Sequence, residues 1–115
     1  PPACILSGGE TTVTMEIGGK GGRNQEFALK CALEIRGMDR LAVLSGGTDG
    51  TDGPTDAAGG LVDPFTVERA KACGMDAQYH LEAHDAYPLL EAVGDLYKTG
   101  PTLTNVMDLR IILVQ

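Results

Sequence analysis

A chain of 115 residues with 43% hydrophobic content is long enough for one packed domain and too apolar to stay disordered. With no Trp, two Phe and three Tyr, its core must rest on aliphatic residues and Met, which suits layered α/β packing and is poor for a base-stacking nucleic-acid surface. A net charge of −7 repels polyphosphate backbones and anionic lipid, so neither nucleic acid nor membrane is an expected partner.

Residues 4–7 form a short apolar run closed by Gly8 and Gly9, and residues 11–17 alternate β-branched and polar side chains with period two. Both read as strands, joined by a turn short enough for an antiparallel pair. The segment "GGKGGRN", residues 18–24, then places four glycines, Lys20 and Arg23 directly before a helix. Glycine lets backbone amides approach an anion, a helix start adds partial positive charge, and an arginine grips carboxylate or phosphate with two bonds. The segment fits neither the P-loop nor the dinucleotide-binding fingerprint, and a glycine-rich strand-to-helix turn also needs no ligand.

Apolar residues at 27, 28, 31, 32 and 35 predict a helix over 24–36, with Asn24 as N-cap, Glu26 in the first turn and Gly37 as the stop. A strand follows over 40–44. Then comes "SGGTDGTDGPTDAAGG", residues 45–60, rich in glycine and carrying Asp49, Asp52 and Asp56. Three readings compete for it: a cation site, a substrate-facing catalytic loop, or plain turn chemistry. The calcium-loop spacing is absent, whereas Mg²⁺ needs only one or two carboxylates beside substrate phosphates.

Asp63 and Pro64 open a second predicted helix that runs to Cys73 and stops at Gly74. His80 and His84 lie four apart without a metal-binding helix motif, which favours surface or cap roles. A third helix is predicted over 85–96 from the face made by Ala86, Leu89, Leu90 and Val93, with Pro88 tolerable in its first turn. Residues 98–109 read as a loop, and 110–114 as a central strand. The expected fold is a layered α/β domain with a mixed sheet of about five strands and three main helices.

Cys4, Cys31 and Cys73 form no zinc or redox spacing, and their odd number argues against a disulfide framework, so a cytoplasmic setting and small core roles are expected. No apolar run approaches the roughly 20 residues of a membrane helix. The abrupt start predicts a domain of a longer chain.

Four segments in order, "GGKGGRNQEFAL", "LSGGTDGTDGPTDAAGG", "HDAYPLLEAVGDL" and "TGPTLTNVMDLRIILV", together resemble the MOFRL domain. This is the C-terminal domain of class II glycerate 2-kinases, a family whose members also carry the name hydroxypyruvate reductase. The resemblance implies ATP-dependent phosphorylation of D-glycerate to 2-phosphoglycerate with Mg²⁺, in a cleft shared with an N-terminal Rossmann-like domain of the same polypeptide. It implies catalytic roles for Arg23, Asp49 and Asp52, with Asp49 and Asp52 as candidate Mg²⁺ ligands. Substrate contacts are implied for Gly22, Asn24, Gly46, Gly47, Thr48, Thr102, Thr104 and Asn105. Where the family usually reads "GPTGTNVND", this chain has Leu103 and Met107, a departure that bears on substrate preference and activity. Two alternatives stand beside the kinase: an NAD(P)H-dependent hydroxypyruvate reductase, against which the missing dinucleotide fingerprint counts, and a non-catalytic binding or regulatory module.

Overall fold

In the computed structural model, which describes residues 3–9, 19–102 and 108–114, five strands form one sheet in the order β1-β5-β2-β3-β4. They are β1 (Ala3–Gly9), β2 (Leu41–Gly47), β3 (Gly59–Val62), β4 (Leu96–Tyr97) and β5 (Asp108–Val114). Every pairing among these strands is antiparallel. The α/β class and strand number are as expected, while the parallel pair that a mixed sheet would add does not occur among the described strands. The strand read over 11–17 lies outside the described residues, as do Leu103, Thr104, Asn105 and Met107.

Four helices follow the chain between these strands: α1 (Arg23–Glu34), α2 (Thr66–Ala72), α3 (Ala77–Glu82) and α4 (Ala86–Val93). Their apolar stripes meet the sheet through Ala28, Leu29 and Ala32 of α1, Val43 of β2, Val62 of β3, and Leu89 and Leu90 of α4. Register partners Val43 and Val62 face the helices, whereas the adjacent Leu61 is 45% exposed, as period-two alternation requires of a sheet covered on one face. Each fully buried leucine contributes about 1.5–3 kcal/mol.

Several boundaries differ from the sequence expectation for local reasons. Asn24 is not the N-cap of α1; Gly22 holds that position in extended conformation. The second helix starts at Thr66 rather than Pro64, because the Asp63 carboxylate accepts the Phe65 amide at 2.7 Å and turns the chain before the helix begins. The third predicted helix ends early: Gly94 takes φ +78°, and the chain leaves it to form β4. Helix α3 and strand β3 were not expected. In β3, a side chain at Gly60 would come within 2.9 Å of the Ala28 methyl, so a glycine lets the strand pack directly against α1.

The cysteines do not share the expected core role. Cys31 packs against the core, but Cys4 and Cys73 are exposed. His80 Nδ1 lies 2.8 Å from the Asp85 carbonyl oxygen and 3.2 Å from Asp85 Oδ2, and His84 Nδ1 lies 2.5 Å from Glu26 Oε1. His84 holds φ +53°, a left-handed position beyond the end of α3.

Candidate functional site

Helix α1 presents its first three residues to the end of the sheet and to the acidic loop, and each is held. Arg23 donates from Nε to Asp108 Oδ2 at 2.5 Å and from Nη2 to Oδ1 at 3.0 Å, a two-bond fork between the helix start and the first residue of β5. Asn24 donates its amide to Asp52 Oδ1 at 3.0 Å and its side-chain Nδ2 to the same oxygen at 3.2 Å. Gln25 donates its amide to Asp52 Oδ2 at 2.8 Å. The hydroxyl of Ser45, on β2, donates to Asn24 Oδ1 at 2.8 Å.

Asp52 therefore does for α1 what an N-cap side chain usually does, from 28 residues away: it accepts two amides that the helix itself cannot satisfy. Asp52 as a whole is only 3% exposed. Burial raises its pKa, opposed by the bonds from Asn24 and Gln25. Gly22 permits this arrangement, because a side chain there would run into the Asp52 carboxyl group. The Asp52 carbonyl accepts the Thr55 hydroxyl at 2.7 Å and Gln25 Nε2 at 3.3 Å, so the loop after Asp52 is folded back onto α1.

Asp49 stands in a different setting. Its Oδ1 accepts the Thr51 amide at 3.0 Å, an Asx turn within its own loop. Its carbonyl accepts the Thr102 amide at 3.2 Å, and the Thr102 hydroxyl donates to the Thr48 carbonyl at 2.5 Å. Asp56 sits farther along, receiving the Tyr87 hydroxyl at 2.6 Å and lying 3.2 Å from Lys98 Nζ. The Tyr87 bond first, then Lys98, lowers its pKa.

Asp49, Thr48 and Thr102, and Arg23 through Asp108, gather at one end of the sheet around Gly47, whose register partner on β5 is Asp108. A side chain at Gly47 would lie 3.1 Å from Asp49 Oδ1 and 3.7 Å from Asp108 Oδ1. On the sheet face away from the helices, the same end opens into a cavity of about 300 Å³. Gly46, Gly47, Thr48 and Thr102 line it, with Leu109 and Ile111 among its apolar walls. Of the site residues expected from sequence, Gly22, Arg23, Asn24 and Asp52 thus form one cluster, Gly46, Gly47, Thr48, Asp49 and Thr102 a second, and Gly47 joins them.

Asp108 was not among the expected site residues, although it belongs to a segment that carries the family resemblance. Burial raises its pKa, but the bonds from Arg23 and then Asn24 outweigh that and hold it below the usual carboxylate value. Only its pairing with Arg23 singles it out, and spacing along the chain does not encode a contact across 85 residues.

Among the described residues, no three of His, Cys, Asp or Glu gather closely enough to hold a metal ion alone. Mg²⁺ does not need such a cage, since it keeps several waters and takes one or two carboxylates beside phosphate. Asp49 fits that donor role, with one oxygen tied to its own turn; Asp52, with both oxygens committed to α1, fits it poorly.

The chain is 50% identical over 113 residues to a D-glycerate 2-kinase of Thermotoga maritima, covering 98% of this chain and 27% of that protein. It is 49% identical to a glycerate 2-kinase of Pyrococcus horikoshii, covering 99% of this chain and 26% of that one. A protein of Agrobacterium vitis, provisionally named a hydroxypyruvate reductase, is 50% identical across 98% of this chain and 26% of its own length. The crystal structure of the T. maritima glycerate kinase superposes with a TM-score of 0.95 over 98% of this chain and 27% of that chain. The chain thus spans about a quarter of the length of these relatives. The MOFRL family model matches residues 3–108, and on that match the chain belongs to the MOFRL family.

Proposed function

We propose that this domain forms one wall of the active site of an ATP-dependent glycerate 2-kinase, which phosphorylates the 2-hydroxyl of D-glycerate. The observation that carries the reading is the gathering of Arg23, Asp49, Thr48 and Thr102 around Gly47, in a chain half identical to proteins named glycerate 2-kinase. The hydroxyl oxygen of glycerate attacks the γ-phosphorus of ATP, the bond to ADP breaks, and the hydroxyl proton leaves with a base.

Such a transfer needs positioning and charge stabilisation more than covalent help from the protein. Arg23 grips an anionic group of the substrates, either the glycerate carboxylate or a phosphate. Thr48 and Thr102, together with the backbone of 46–50, contribute neutral groups around the transferring phosphoryl. Asp49 is the carboxylate that faces either the accepting hydroxyl or Mg²⁺, and Asp52 holds the α1 start that carries Arg23 and Asn24. Bound Mg²⁺ would neutralise charge on the phosphates. The second wall belongs to the remaining part of a polypeptide of the relatives' length, for which a Rossmann-like domain is our reading. Cytoplasmic location goes with that soluble-kinase reading.

The test is product identity. The full-length polypeptide carrying this domain is incubated with D-glycerate, ATP and Mg²⁺, and the products are resolved by ³¹P NMR. We expect 2-phosphoglycerate and ADP. NAD(P)H oxidation by hydroxypyruvate with no phosphorylated product would instead place the protein with the reductases.

A further inference from the structure

We propose that Asp108 is a positioning residue that fixes the guanidinium of Arg23 for substrate binding, an inference that rests on the kinase reading above. An arginine at the first position of a helix has long rotamer freedom, and ordering it costs about 2 kcal/mol of side-chain entropy if the substrate alone must do so. Here the Nε and Nη2 edge is already committed to the two oxygens of Asp108. That edge sets the plane of the whole guanidinium, because the group is rigid and flat.

The anchor is itself fixed. Asp108 is 4% exposed and begins β5, where it pairs in register with Gly47. A carboxylate in so buried a place is costly unless paired, and its partner here is the Arg23 guanidinium. The carboxylate is therefore explained by what it holds. Arg23 is in turn pinned at its backbone by the neighbouring bonds of Asn24 and Gln25 to Asp52. Both ends of the side chain are thus defined by rigid elements, the arrangement that gives a binding group its precision.

The test uses the full-length polypeptide in a double-mutant cycle of Asp108→Asn and Arg23→Ala, with kcat and KM for glycerate and with thermal unfolding to confirm folding. In the wild-type background, Asp108→Asn lowers kcat/KM about 10–100-fold, the usual cost of a misplaced binding group. In the Arg23→Ala background, the same change costs less than about 3-fold, because acting through Arg23 leaves nothing further to lose. Asp108→Glu, which keeps the charge but moves it outward, recovers part of the loss and serves where Asp108→Asn fails to fold. Losses that multiply, or a single Asp108→Asn variant within about 2-fold of wild type, overturn the proposal.

A second readout separates this idea from the kinase reading. With ¹⁵N-arginine labelling, the Arg23 Nε–H resonance is sharp and slow to exchange in wild type and is lost in Asp108→Asn. If that holds while wild type forms no 2-phosphoglycerate, the kinase reading fails and the positioning contact stands. A rapidly exchanging wild-type resonance sinks the positioning role itself.

Discussion

Three aspartates that look alike in the sequence have three different jobs, separated by what surrounds each carboxylate. Asp49 closes a turn and keeps its place beside Gly47, Asp52 is spent on helix amides, and Asp56 anchors the loop to Tyr87 and Lys98. A fourth, Asp108, is a carboxylate whose protonation bears on stability in acid. Its folded pKa lies below the ordinary value of 3.8, so its pairing with Arg23 adds stability above that value and loses it as pH falls through the folded pKa. Asp52 has the opposite sign: raised above 3.8 by burial, it favours the folded state in acid and opposes it as pH rises through its folded pKa. Replacing Asp108 by Asn should therefore flatten the acid limb of the melting temperature plotted against pH below about 4, relative to wild type. An unchanged acid limb would mean that the Arg23 contact contributes no net stability.

At the scale of elements, α1 is the part on which both the core and the site depend. Its far end packs Leu29 and Ala32 into the core while its first turn is held by Asp52 and Asp108. Replacing Asp52 by Ala strands two buried amide donors, and we expect a loss of about 2–4 kcal/mol in denaturant unfolding, more than an ordinary exposed N-cap. A loss under about 0.5 kcal/mol would show that water or another acceptor replaces the carboxylate readily.

The helical face of α1 was legible because its apolar spacing is intrinsic to the segment: Ala28, Ala32 and Ile35 are all buried as that spacing requires. Its start was misplaced by reading Asn24 as a local cap, since the acceptor that decides the matter lies 28 residues downstream. Strand β3 was hidden for a related reason. Two of its four residues are glycines, which carry no strand preference and are selected by the closeness of α1 and β2 rather than by the strand itself. Gly94 lies inside the helix predicted over 85–96, yet its left-handed conformation makes it the residue that ends α4.

For the molecule as a whole, the expected site segments converge at one end of the sheet, and most of the candidate residues among those described were named from the family pattern. What that pattern did not convey is the division of labour within them, because Asp52 and Asp49 differ only in their long-range partners. The chain spans about a quarter of the relatives' length, and in the proposed kinase reading its sheet end is one wall of the site. The sharpest test of that account is the rate of ATP-dependent glycerate phosphorylation by the full-length polypeptide with Arg23→Ala, compared with wild type at matched folding. A fall in kcat/KM of about 100-fold or more is expected, as when a principal anion-binding donor is removed. A variant that phosphorylates glycerate at the wild-type rate would contradict it, and would move the active site away from the end of the sheet marked by Gly47.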